Sequence, residues 1–211
     1  MVDIEAIVRR YVDDAISAQI KDHRDHDRIA IQALQQRDQD NRHGVLREWL
    51  TWYRVFQGLK NEERGRVTKA VLTLVDRLDC KTVCRNQSTI MATCDRLNEA
   101  CGKEVRRRAD GGKRDMTSLA SKALWCRFPD KVPIYDSFAQ RALWVLSRLC
   151  ETVPPSQGSE YERFARMWFA LYPKALPIIE GANMYGYRYE VRIFDKILWL
   201  IGKPDYGIQS F

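Results

Sequence analysis

A chain of 211 residues with 45% hydrophobic content and six tryptophans can bury a full core, so one domain or two closely joined lobes is the expectation. Its formal charge of +7, from 35 Lys+Arg against 28 Asp+Glu, favours a polyanionic partner and leaves DNA, ribosomal and membrane-surface partners open. No apolar run approaches the roughly 20 residues of a membrane span, and the opening MVDIEAIVRRYVDD mixes acids with arginines, which reads as soluble, cytoplasmic and without a membrane partner.

The first element is an amphipathic helix. Ile4, Ile7, Val8, Tyr11, Val12, Ala15 and Ile16 recur at helical spacing behind Asp3, which is placed to cap the first turn. The charged stretch KDHRDHDRIAIQALQQRDQDNRHG then continues as a solvated helix or a connector, before GVLREWLTWYRVF resumes the apolar pattern. His23 and His26 lie at i, i+3, a spacing that can ligate a metal, but with no third ligand in view they read as exposed surface histidines. Core helices follow over Arg66 to Leu78 and Ser88 to Ala100. A helix around Ser118 to Cys126 must end near Phe128, because Pro129 disfavours helical geometry in the residue before it, and Pro133 keeps Lys131 and Val132 extended.

Periodicity restarts after Asp136 with Phe138, Ala142, Val145 and Leu149, so Asp136 is a natural N-cap. Ser159 and Glu162 form an S-x-x-E capping box ahead of Tyr161, Phe164, Ala165, Trp168 and Phe169. Val191 to Ile201 is a last, strongly apolar helix stopped by Gly202 and Pro204. With no period-2 strand and no internal repeat, the fold class is all-α, with about eight to ten helices. Cys80, Cys84, Cys94, Cys101, Cys126 and Cys150 lack the paired spacings of a disulfide scaffold or zinc ribbon and read as free buried thiols.

Asp136 admits two readings. As a cap it satisfies free backbone N–H groups, a role worth about 1 kcal/mol and common to very many helices. The same helix start also favours the ionised carboxylate, which then offers a fixed negative charge to a developing cation such as a sugar oxocarbenium ion. On the helix before it, Ser118, Lys122 and Trp125 fall at i, i+4, i+7 on a stripe apart from the apolar face and suited to face a groove.

The run TSLASKALWCRFPDKVPIYDSFAQRAL, Thr117 to Leu143, resembles the helix-hairpin-helix and Gly/Pro…Asp segment of the base-excision DNA glycosylases, most closely that of adenine DNA glycosylases and 8-oxoguanine glycosylase-like proteins. In that family a helix, a loop ending in P-I-hydrophobic-D and a second helix follow one another. The resemblance implies a two-lobed helical fold with a central cleft, one glycosylase-like domain over 1–211 with the family-like segment at about 103–150. It implies a monomer acting on double-stranded DNA that contains a modified base. Asp136 matches the essential carboxylate that assists departure of the base. Ser118 matches the position where strand-nicking members carry a Schiff-base lysine, which implies a monofunctional enzyme; Lys122, one turn on, reads as a solvated helix lysine.

The chain departs from the family at two places. The family's hairpin turn is a glycine-rich L-P-G-V-G whose backbone amides hold a DNA phosphate, whereas this chain has RDMTS there. Iron–sulfur members carry four cysteines after the helix of the aspartate, whereas Cys150 stands alone beyond Asp136, so no cluster and no other cofactor are expected. Just upstream, KEVRRRADGGKR places Lys103, Arg106, Arg107, Arg108, Lys113 and Arg114 around Gly111 and Gly112. These residues are either a replacement phosphate grip or an ordinary solvated basic loop. A base-removing enzyme must also hold a flipped nucleotide between flat surfaces. The candidates are Trp125, Tyr135 and the NMYGYRYE loop with Tyr185, Tyr187 and Tyr189, set against the fact that core packing accounts for most aromatic residues. The expected function is therefore a monofunctional DNA glycosylase, in repair or in defence against phage DNA with modified bases. The alternatives are a non-catalytic DNA-binding or adaptor module on the same scaffold, or a helical protein-interaction domain.

Overall fold

The computed structural model describes residues 3–22, 24–36, 41–106, 111–150, 156–183 and 186–204. Among these the chain is all-helical, with no strand. Its helices are α1 (Ile4–Asp22), α2 (Arg24–Gln35), α3 (Arg42–Trp52), α4 (Asn61–Val75), α5 (Cys80–Val83), α6 (Gln87–Lys103), α7 (Thr117–Arg127), α8 (Ser137–Leu149), α9 (Glu160–Ala182) and α10 (Glu190–Gly202). No helix is long and apolar enough to cross a membrane among the described residues. The chain divides into two compact units, one of Met1–Arg24 with Pro133–Phe211 and one of Asp25–Val132. The boundary falls between α7 and α8.

In the first unit α10 is the central element, packed by α8, α1 and α9. That is why its apolar residues run round the whole helix rather than along one stripe: Val191, Ile193, Phe194, Ile197, Leu198, Leu200 and Ile201 are all buried. Gly202 lets the end of α10 approach the start of α8, for a Cβ there would stand 1.8 Å from the carbonyl oxygen of Phe138. The caps are as the sequence indicates: Asp3 accepts the Glu5 amide at 2.9 Å and Ser159 the Glu162 amide at 3.0 Å. α9 continues through Pro173 and Pro177. Both face solvent, where water can satisfy the carbonyls that lose their helical partner.

In the second unit α7 is the enclosed element, packed on α6 and α4, with Leu119, Ala120, Ala123, Leu124, Trp125 and Cys126 all buried. The charged stretch after α1 resolves into α2, whose Ala30, Ile31, Ala33 and Leu34 are buried. Its Asp27, fully buried, accepts from Trp49 Nε1 at 3.0 Å and the Tyr53 hydroxyl at 2.7 Å, which ties α2 to the end of α3. α4 begins at Asn61 rather than near Arg66. Glu63 reaches back 2.8 Å to the Lys60 amide and supplies a start signal that apolar periodicity does not reveal.

Candidate functional site

Asp136 lies in the first unit, on the extended segment that feeds α8. Its backbone is extended (φ −145°, ψ 145°), and Oδ1 accepts the amide of Phe138 at 2.9 Å, so the N-cap expected from the sequence is present. That amide is the only hydrogen-bond partner of its carboxylate among the described residues, and the side chain is partly exposed. The other carboxylate oxygen carries no hydrogen bond from the described residues.

The segment ahead of Asp136 is fixed by three side chains of the same unit. Asp195 of α10, 3% exposed, accepts the Ile134 amide at 3.1 Å and Trp168 Nε1 at 2.7 Å. The Tyr161 hydroxyl donates to the Pro133 carbonyl at 2.9 Å. The Tyr135 hydroxyl is shared between the Glu160 carboxylate and the Gln140 side chain, and its ring packs edge-on against Phe164 at 5.2 Å. Tyr135 is thus buried and held in place rather than presented as a flat surface. Neither Asp195 nor Glu160 was among the residues singled out by sequence; their partners lie 61 and 25 positions away.

Tyr187 is also buried, with its hydroxyl accepting from Gln19 Nε2 at 3.1 Å. Asn183 clamps this turn through Tyr187 N (3.0 Å) and O (2.7 Å), and Gly186 supplies the left-handed residue (φ 63°) that the turn requires. The loop named as a candidate to hold a flipped base is therefore folded inward at Tyr187, next to Tyr189 at 5.9 Å, while Tyr185 lies outside the described residues.

Ser118, Lys122 and Trp125 belong to the second unit. The structure brings Ser118 and Lys122 together: Nζ donates to the Ser118 hydroxyl at 2.8 Å and sits 6.0 Å from the ring centre of Tyr53. Lys122 is only 4% exposed, which corrects the expectation of a solvated helix lysine. Trp125 is fully buried and stacked 6.4 Å from Trp49, so the stripe expected to face a groove is enclosed at two of its three positions.

The RDMTS turn keeps its amides for the protein. Asn98 Oδ1 accepts the Met116 amide at 2.7 Å, and Asp115 Oδ1 accepts the Thr117 amide at 3.0 Å. The Thr117 hydroxyl donates to Asp115 at 2.6 Å, and Asn98 Nδ2 to both Asp115 and Thr117. A carboxylate thus occupies the start of α7.

The basic loop is partly engaged as well. Arg114 donates to the carbonyls of Gln57 (2.6 Å) and Gly58 (3.1 Å). Gly58 must be glycine for this, since its φ is 71° and a Cβ would lie 2.7 Å from the guanidinium. Lys103 pairs with Glu99 at 3.1 Å on the surface. The Arg106 amide donates to Glu63 at 2.9 Å and, together with the Lys60 amide, holds that carboxyl below its usual range. Gly111 is left-handed (φ 76°), Lys113 is exposed, and Gly112 is partly exposed; Arg107 and Arg108 lie outside the described residues.

All six cysteines are free. Cys94, Cys101 and Cys126 are buried as expected, whereas Cys84 and Cys150 are partly exposed and Cys80 is exposed. Burial, with Cys80 adjacent, pushes the Cys84 thiol up to about 12, so it is no thiolate nucleophile near neutrality. His26 is exposed and stacks on Trp52 at 4.2 Å, and His23 lies outside the described residues. Among the described residues no three His, Cys, Asp or Glu side chains are grouped to hold a metal ion. Comparison with protein-family models, curated proteins and solved structures finds no match for this chain.

Proposed function

We propose that the protein is a monofunctional DNA glycosylase of the helix-hairpin-helix type, hydrolysing the N-glycosidic bond of a modified base in duplex DNA. The observation that carries this reading is Asp136, a carboxylate bound on one oxygen by the Phe138 amide at the start of α8 and partly exposed, on a loop anchored by Asp195 and Tyr161. The anchored loop keeps the carboxylate in place as the sugar becomes cationic. Water adds to the anomeric carbon, the bond to the base breaks, and the base leaves with its electron pair and a proton. A two-lobed glycosylase fold, repair or antiphage use, and monomeric action belong to the same proposal.

The adaptor reading draws on a specific observation: Trp125, Tyr135 and Tyr187, three of the aromatics proposed to hold a base, are buried, while Tyr189 is partly exposed. The experiment is base release from duplexes that each carry one modified base. Asn still caps a helix, so Asp136→Asn should keep the fold and lose activity by about 10²-fold or more. The wild-type product should be an intact abasic strand cleaved only by alkali, with no borohydride-trapped adduct. Full activity in the Asn variant rules out this role for Asp136. Trapping by the wild type points to Lys122 and overturns the monofunctional assignment, and no release from any duplex favours the adaptor.

A further inference from the structure

The outer face of α8 is built from aromatic rings and arginines with no acid among them. Phe138, Arg141, Trp144, Val145 and Arg148 fall on one stripe about 120° wide at 100° per residue, opposite the buried Ala139, Leu143 and Leu146. Phe138, Trp144 and Val145 are partly exposed, and Arg141 and Arg148 are exposed. Each arginine lies by a ring, Arg141 5.9 Å from the centre of Phe138 and Arg148 5.9 Å from that of Trp144. The stripe continues onto α10: Phe138 meets Trp199 edge-on at 6.0 Å, and the ammonium groups of Lys196 and Lys203 lie 4.2 and 5.1 Å from the Trp199 ring. Core packing accounts for neither the partly exposed rings nor Arg141, Arg148 and Lys203 beside them; Lys196 is itself buried.

We infer that this face, from Trp199 and Phe138 along α8 to Arg148, is the surface on which a DNA strand lies, with Arg141, Arg148 and Lys203 on its phosphates. Charge selects the polyanion, and the partly exposed rings offer apolar contact to sugars and base edges that phosphate alone does not need. From Phe138 to Arg148 the stripe is about 15 Å long, enough to face four or so base steps at about 3.4 Å each. It starts at the residue whose amide binds Asp136, so the strand it holds passes the carboxylate. It also supplies a grip that does not depend on the RDMTS turn, whose Met116 and Thr117 amides are taken by Asn98 and Asp115. The inference rests on DNA being the partner, and it holds for the enzyme and for the adaptor alike.

The test is fluorescence anisotropy of the full chain with a labelled duplex from about 50 to 200 mM salt, comparing wild type with Arg141→Ala/Arg148→Ala/Lys203→Ala. All three side chains are at least partly exposed, so the variant should fold, which circular dichroism checks. The variant should bind on the order of tenfold more weakly at low salt, and its log K against log salt should be shallower by about 2 to 3, near 0.9 for each phosphate contact removed. Arg141→Lys/Arg148→Lys should keep the slope. If the wild type binds DNA and the triple variant matches it in affinity and slope, this inference is overturned while the proposed function stands. Failure of the wild type to bind DNA at any salt overturns both. Tighter binding of an RNA duplex of the same sequence overturns the assignment to DNA.

Discussion

Replacing Gly202 by Ala tests the packing that places the start of α8. A single methyl at this position would stand 1.8 Å from the carbonyl oxygen of Phe138 and 2.5 Å from its carbonyl carbon. Van der Waals contact needs about 3.5 Å, so the end of α10 and the first turn of α8 must part by about 1.5 Å. The obstacle is backbone, with no flexible side chain to swing aside, and forced overpacking of this kind costs about 1 to 3 kcal/mol. Helix propensity acts the other way, since Ala is favoured over Gly by up to about 1 kcal/mol within a helix. We expect the contact to win and Gly202→Ala to destabilise by about 1 to 2 kcal/mol, read as a lower urea midpoint with unchanged m. Gly65→Ala on α4 is the matched control. A Cβ added at Gly65 would meet nothing within 4 Å, so the same substitution should stabilise there by about 0.5 to 1 kcal/mol. A Gly202→Ala protein as stable as the wild type would refute the close approach of α10 to Phe138.

Asp195→Ala leaves the Ile134 amide and Trp168 Nε1 without their acceptor; at about 1 to 3 kcal/mol for each buried orphan, unfolding experiments should show a loss of about 2 to 6 kcal/mol, with Asp195→Asn losing less. Trp168 fluorescence should shift in the Ala variant, and an unshifted spectrum would count against the bond. The Glu63 carboxyl is held below its ordinary value in the folded state, so its contribution is present above that ordinary value near 4.5 and disappears as pH falls through the folded one. Urea midpoints measured between about pH 5 and 3 should fall less steeply for Glu63→Gln than for the wild type; equal slopes would show that the Arg106 and Lys60 amides do not matter.

The helices were legible in the sequence wherever local physics sets them. Apolar spacing of 3.6 marks α1 and α6, a strongly apolar run stopped by Gly202 and Pro204 marks α10, and a side-chain oxygen before a helical run marks the caps at Asp3, Asp136 and Ser159, because a cap and its amide are two or three residues apart. Helix boundaries drifted where the signal was a reaching carboxylate, as at Glu63, and α2 was ambiguous because its buried face is short and includes Asp27.

What each helix face meets was settled only by the tertiary structure. Lys122 reads as solvated from its neighbours in sequence, yet it is buried against Ser118 and Tyr53, the latter far away in the chain. Trp125 and Tyr187 look like candidates to hold a base until Trp49 and Gln19 are seen to occupy them. Asp195 is one more polar residue on an apolar helix until the fold sets it under the Ile134 amide. A cap is decided by the residues next to it, whereas burial and an anchoring bond depend on partners brought in from tens of residues away, which periodicity does not record.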